Sequence, residues 1–338
     1  MRRALPIIFA ILAPIASAAE LRTTSHSIAT PKGYDVHGVL TVPADARGPM
    51  PALFFVGWLS CDSMTYADGR ETDGYSKFIL RTIRSSGFAA FRIDKPGVGA
   101  SKGPPCRSLD FQEELAAYQA AFRYAIQLPE IDPSRVVIVG LSNGGGFAPL
   151  VAQGHRVAGY VSIGGWGRTW LEHMIELERS RLELSGVPAA RVNTQMKLFA
   201  EFYVRYLTRG ETPGQIIVAD PRFKPVWYDA PDGQYGRPAA FFQQLQDLNL
   251  EAAWSGVDVP VLVVRGAFDW IMSQKDAEAI AAAVNRTSPG KARLMIRPRM
   301  DHFLDLHARY ANSMNDDHAS FDEGLVGEVT AWLKMRGR

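Results

Sequence analysis

A chain of 338 residues, 47% of them hydrophobic, can bury a large core and suits one big domain with an insertion or two modest domains. Its formal net charge is only +2, and no basic patch, arginine-rich arm or acidic tail interrupts the sequence, which argues on electrostatic grounds against a nucleic-acid partner. There is no internal repeat and no low-complexity segment.

The first element is Met1-Arg2-Arg3, a short positive region, followed by an apolar run from Ala4 to Ile15 and the small residues Ala16-Ser17-Ala18-Ala19. This is the layout of a secretory signal peptide over residues 1–19, with cleavage after Ala18 or Ala19. The apolar run is short for a bilayer span and carries Pro6 and Pro14, and no cysteine follows it to serve as a lipoprotein anchor. The expectation is an exported protein, periplasmic or secreted, with no membrane anchor after processing. Its two cysteines, Cys61 and Cys106, lie in Gly/Pro-rich loops after predicted strands and are expected to pair in an oxidising compartment. Closing a loop of that length stabilises by roughly 4 kcal/mol in the chain-entropy model.

Residues 34–42, "YDVHGVLTV", alternate like a half-exposed strand, and 52–56, "ALFFV", read as a fully buried one. A helical pattern covers 74–86, and "FAAFRID" (88–94) is the next strand. Asp110-Phe111-Gln112-Glu113 resembles a capping box and opens a helix to about Gln127. Strands follow at 135–140 and 157–165, with a helix between them, and later at 260–266 and 292–298. Helices are expected over 274–284 and 324–335. Strands alternating with helices predict an α/β, doubly wound, mostly parallel sheet covered on both faces. Residues 166–249 break the rhythm with helical patterns alone, too long for one crossover, and read as a helical cap inserted between core segments 20–165 and 250–338. Trp166, Trp170, Phe199, Phe202, Tyr203 and Tyr206 make this insertion rich in aromatics, which either pack it on the core or line an apolar pocket.

The chemistry is concentrated in "VVIVGLSNGGGFAPL" (136–150). A Gly-x-Ser-x-Gly between a buried strand and a helix marks a turn so sharp that residues two before and two after the serine must lack bulk. Gly140 and Gly144 meet that need, and Ser142 is the expected nucleophile. A serine hydroxyl needs a base, and there are seven histidines. His26 and His37 lie in the first strands and read as surface residues. His155 sits between elements, His173 in the insertion, and His307 and His318 toward the last helix. His302, in "RPRMDHFLDLH" after the last predicted strand, would hang over the sheet beside the serine and is the expected base, with His307 as the fallback. Asp269, in "VVRGAFDWIMS", lies just past a buried strand and is the expected orienting carboxylate. Asp276 reads as a surface charge, and Asp301, adjacent to His302, as poorly placed to reach its ring.

In the order Ser142, Asp269, His302 on such a sheet, the chain resembles the α/β-hydrolase superfamily, in particular secreted serine hydrolases of the esterase and serine aminopeptidase kind. "RIDKPGVGASKG" is similar to the superfamily's Asp-x-x-Gly-x-Gly-x-Ser turn, and "FDWIMS" and "MDHF" to its acid turn and histidine loop. "GWLSCDS" and "GPPCRSLDF" are similar to paired loops joined by a disulfide in secreted members. The resemblance implies eight strands and an oxyanion hole made by the backbone N–H groups of Asn143 and Trp58, with Leu59 as the second choice for the latter. Val56-Gly57 stands where many members have His-Gly.

The expected reaction is two-step acyl transfer through an acyl-enzyme on small or medium carboxylic esters, a chemistry that needs no metal and no cofactor. The alternative is a serine peptidase or amidase, which would want an acidic group to hold a substrate amine. Glu176, Glu178 and Glu201 are available, though at helical spacing they read as solvated surface. A non-catalytic binding protein on the same fold is the remaining reading, and the presence of all three triad residues weighs against it.

Overall fold

The computed structural model describes residues 20–66, 68–315 and 319–337, so the expected signal segment 1–19 and His318 lie outside the described residues. Eight strands form one sheet: β1 (Leu21–Ala29), β2 (Asp35–Pro43), β3 (Met50–Val56), β4 (Ala89–Ile93), β5 (Ile131–Leu141), β6 (Gly159–Ile163), β7 (Val261–Gly266) and β8 (Ala292–Arg297). They lie side by side in the order β1-β2-β4-β3-β5-β6-β7-β8. β2 runs antiparallel to both β1 and β4, and all other neighbours are parallel.

The central strands are continuous apolar runs because helices cover both faces of the sheet. Every residue of β4, β6 and β7 is buried. The outer strands β1 and β8 alternate instead, as half-covered edges do. β5 starts at Ile131, five residues before its apolar run at Val136, and passes through Asp132-Pro133-Ser134-Arg135, with a register irregularity opposite Met50 and Ala52.

The covering helices on the core are α1 (Gly74–Ser86), α2 (Phe111–Ala125) and α3 (Asn143–Val151). Between β6 and β7 the chain lays down α4 (Trp170–Leu184), α5 (Ala189–Tyr203), α6 (Pro213–Ala219), α7 (Ala239–Gln246) and α8 (Leu250–Ser255). α9 (Gln274–Thr287) and α10 (Glu323–Lys334) return to the sheet. α1 starts at a full capping box of Asp73 and Ser76 and stops at Gly87, which adopts a left-handed φ of 75°. α2 has half a box. The Asp110 carboxylate accepts from the Glu113 N–H at 2.9 Å, but the Glu113 carboxylate turns away to the Tyr34 hydroxyl at 3.1 Å.

The segment between β6 and β7 has its own aromatic packing, in which Phe202 stacks on Trp227 at 4.9 Å. Of the six aromatics that the sequence singled out there, all are buried, and Trp170 alone among them lines the cavity described below. The same segment sends a short hairpin, residues 233–238, back toward the core.

Candidate active site

The turn after β5 puts Ser142 at φ 52° and ψ −124°, a strained backbone for a residue with a side chain. Sterics around the turn explain its neighbours. A Cβ on Gly140 would lie 2.4 Å from the Gly144 carbonyl oxygen, and one on Gly144 would lie 2.4 Å from the Gly57 carbonyl oxygen. α3 begins directly after the serine, so its first N–H groups have no partner within the helix.

The loops after β7 and β8 deliver the other two residues. His302 Nε2 lies 2.8 Å from Ser142 Oγ, and His302 Nδ1 lies 2.9 Å from Asp269 Oδ2. All three side chains are buried. The other oxygen of Asp269, Oδ1, accepts the Ile271 and Met272 N–H groups at 2.9 and 2.8 Å, so the carboxylate cannot swing away. Arg265, buried at the end of β7, donates to the carbonyls of Asp269 and Met272 and closes the acid turn.

The histidine loop is held just as firmly. Asp301 Oδ1 accepts the Phe303 and Asp305 N–H groups, each at 2.9 Å, while its Oδ2 lies 2.9 Å from His307 Nε2. Asp301 therefore shapes the turn, and His307, the fallback base, is taken up in that turn instead of facing Ser142. From α1, the Tyr75 hydroxyl donates to the His302 carbonyl at 2.9 Å. Gly164, at φ 58° after β6, leaves the space beside the imidazole. A Cβ there would sit 3.2 Å from His302 Cε1 and Nδ1.

Three expectations about charge and exposure need correction. Asp276 is not a surface charge but fully buried, because the N-cap Ser273 and the guanidinium of Arg168 both need it. It accepts from Ser273 Oγ at 2.8 Å and from Arg168 Nε at 3.3 Å. Glu178 is buried too, accepting from the hydroxyls of Tyr203 and Tyr228 at 2.9 and 2.7 Å beside Arg181. His26 and His37 are half-buried, His26 through its contact with the Tyr124 hydroxyl at 3.1 Å.

Residues 57–63 pass beside the serine. Trp58 and Asn143, the two residues whose N–H groups the resemblance assigned to an oxyanion hole, line one cavity together with Ser142. The Gly57 N–H is taken by the Tyr118 hydroxyl at 3.0 Å, whereas the Trp58 N–H makes no hydrogen bond among the described residues. A buried charge cluster props this loop from behind. Lys95 Nζ donates to the carbonyls of Trp58 and Ser60, and lies 3.4 Å from Glu114. Arg237, from the hairpin of the helical segment, pairs with Glu114 and donates to the carbonyls of Leu59 and Cys106 at 3.0 and 2.8 Å. Burial lowers the Lys95 ammonium to about 8, with Glu114 pulling the other way. Cys61 and Cys106 form a disulfide that ties the loop to the start of the segment before α2. Asp94 completes the bracing, accepting from Ser63 Oγ and the Met64 N–H at 2.7 and 2.9 Å.

The cavity in front of Ser142 measures about 230 Å³. Trp58, Tyr75, Trp170, Trp270 and Phe303 wall it, and Ser142 and His302 open onto it. Sequence reasoning missed Lys95, Glu114, Arg237, Arg265, Tyr75 and Gly164. One signal was present: Glu114 falls on the apolar stripe of α2, between Phe111 and Leu115, where a carboxylate needs a buried cation.

A sheet of this order, with a serine on a strained turn after β5 and a carboxylate and a histidine brought to it from the loops after β7 and β8, defines an α/β-hydrolase. The chain belongs to the alpha/beta hydrolase family, whose profile matches residues 57–312. Over 79 residues it is 39% identical to the quorum-quenching protein AidA of Acinetobacter baumannii, a match covering 23% of this chain and 26% of that protein. Over 302 residues it is 22% identical to the esterase EstD of Thermotoga maritima, covering 88% of this chain and 65% of that protein. The chain thus matches under two thirds of the length of either relative. The structure of the Pyrococcus furiosus esterase Pf2001 superposes with a TM-score of 0.56 at 12% identity, over 98% of this chain and 97% of that one, a likeness of fold.

Proposed function

We propose that the protein is an exported serine hydrolase that cleaves carboxylic esters through an acyl-enzyme. The observation that carries this reading is the unbroken contact from Asp269 through His302 to Ser142, at 2.9 and 2.8 Å, opening on an apolar cavity. Asp269 holds the proton of His302 on Nδ1, which leaves Nε2 as the base toward Ser142. Ser142 Oγ attacks the ester carbonyl, and the N–H groups of Trp58 and Asn143 receive the oxyanion, each such donor stabilising the transition state by roughly 3 kcal/mol. The imidazolium then protonates the departing alcohol, and water repeats the sequence to release the acid.

Ester is favoured over amide because no carboxylate among the described residues lines the cavity to hold a substrate amine. Glu176 is held by Arg168 and Lys275, Glu178 by tyrosines and Arg181, and Glu201 is exposed. The esterase name of the Thermotoga relative agrees, while the quorum-quenching name of the Acinetobacter relative describes an effect and not a bond. Export is supported by the disulfide, a bond that persists in oxidising compartments.

A fluorophosphonate should label Ser142 in the folded protein, and p-nitrophenyl esters should turn over faster than aminoacyl p-nitroanilides. Absence of labelling would favour a binding protein, and faster anilide cleavage by a wide margin a peptidase.

Two further results are expected. Gly164→Ala should lower kcat/KM by about 10–100-fold, since the added methyl strains a left-handed backbone and crowds the imidazole. A loss of less than twofold would show that the ring has room to spare. The second concerns pH. Because the Lys95 pKa is depressed in the fold, the unfolded chain alone holds this proton between pH 8 and its ordinary 10.5. Over that window the lysine's contribution to stability improves as pH rises, while the positive charge that strengthens its grip on the Trp58 carbonyl is lost. The kcat/KM profile should therefore fall as pH passes about 8 with the far-UV circular dichroism unchanged. A level profile well above that pH would show that the ammonium does not hold the loop.

A further inference from the structure

One polar side chain that the acyl-transfer steps do not use stands in the cavity wall. His173, on α4, is 2% exposed and lines it. Its Nδ1 lies 4.0 Å from Asp276 Oδ2, beyond hydrogen-bond reach, and the ring makes no hydrogen bond with any described residue. The Trp170 ring lies 4.5 Å away, centre to centre. A buried polar group left this way is unfavourable, and a leucine or phenylalanine would fill the same wall without that cost. Such groups call for a ligand that completes them.

The chemistry of the ligand follows from the ring. Burial lowers the His173 pKa to about 4, against the pull of Asp276, so the imidazole is neutral near pH 7. The buried Asp276 carboxylate stands on the Nδ1 side and favours the tautomer with its proton there. Nε2 is then an acceptor. A hydroxyl group is the simplest neutral donor that a substrate can bring to it.

We propose that His173 Nε2 is a subsite for a hydroxyl group, and that the preferred substrates are esters of hydroxylated carboxylic acids. The proposal rests on the reading of Ser142 as an ester-cleaving nucleophile. Size narrows the class. A dry cavity of about 150 Å³ takes benzene, so the 230 Å³ here suits a ring with a short chain or a medium-length alkyl group.

The test compares matched methyl esters: 3-phenylpropanoate against its ring-hydroxylated isomers, and hexanoate against its hydroxylated isomers. The wild-type protein should favour at least one hydroxylated ester over its parent by about tenfold in kcat/KM, the effect of one good hydrogen bond. His173→Phe should abolish that preference, slowing the hydroxylated ester about tenfold more than its parent. The proposal is overturned if no hydroxylated ester is preferred, if the preference survives in His173→Phe, or if His173→Phe slows both esters alike, which would make the ring a structural prop. The matching methyl ketones, which cannot be hydrolysed, give the same comparison as dissociation constants from quenching of the cavity tryptophans. A hydroxyl preference in ketone binding without ester turnover would remove the esterase reading and keep the subsite. Turnover without a preference would do the reverse.

Discussion

Ser142→Ala and His302→Ala are each expected to lower kcat for ester hydrolysis by about a millionfold, roughly 8 kcal/mol in the barrier, and the double variant little further. The two residues act as one unit: without the imidazole the hydroxyl keeps its proton, and without the hydroxyl the imidazole has nothing to activate. Asp269→Asn should cost about ten thousandfold, and the structure gives the reason. Oδ1 accepts two backbone N–H groups, so an amide would keep its oxygen there and turn its NH2 toward His302 Nδ1. The ring would then carry its proton on Nε2 and face Ser142 as a donor, the wrong way round for a base. Steady-state rates, with near-UV circular dichroism to show an intact fold, measure the series. A His302→Ala protein retaining more than about 1% of wild-type kcat would rule out the assigned base, since that loss is far below what removal of a general base produces.

The second large effect is on stability. Glu114→Gln should destabilise the fold by about 3–5 kcal/mol, the range seen when one partner of a buried ion pair is removed. Lys95, Glu114 and Arg237 are all at most 4% exposed, so the two cations would lose the carboxylate they share in a site closed to water. Activity should fall as well, because the same cations hold the carbonyls of Trp58, Leu59 and Ser60. Replacing Glu114 and Arg237 together by methionine should be less damaging than the sum of the single changes, since it removes a stranded charge with its partner. Urea denaturation measures both. A Glu114→Gln midpoint equal to that of the wild type would mean that these charges are not desolvated in solution.

The elements nearest the sheet centre were legible because their signals are local. "ALFFV" is apolar throughout and "PVLVVRG" is apolar up to Arg265, as strands covered on both faces must be, and helix 74–86 is bounded by Asp73 and Gly87, a cap and a left-handed stop. Ser142 was legible because sterics demand small residues on both sides of it, and Asp269 and His302 because each follows a strand in the right order. Asp276 and Glu178 were misread because helical spacing gives a face but not its neighbour. One is covered by Arg168 from the segment after β6 and the other by Tyr203 and Tyr228, about 25 and 50 residues further on. Arg237 was invisible for the same reason, as it meets Glu114 across 123 residues of chain. Partners set by tertiary packing leave no periodic trace in the sequence.

That remote arginine bears on how freely such proteins can be recombined. The hairpin at 233–238 looks from its position like part of an exchangeable module, yet its guanidinium is seated among carbonyls of the central scaffold. A chimera that imported residues 166–249 from a sister protein would leave Glu114 with Lys95 as its remaining cation, and several scaffold carbonyls without their donor, unless the incoming segment supplied a cation at the same spot. Compatible grafts should therefore be recognisable beforehand, by the joint presence or joint absence of the Glu114 and Arg237 pair.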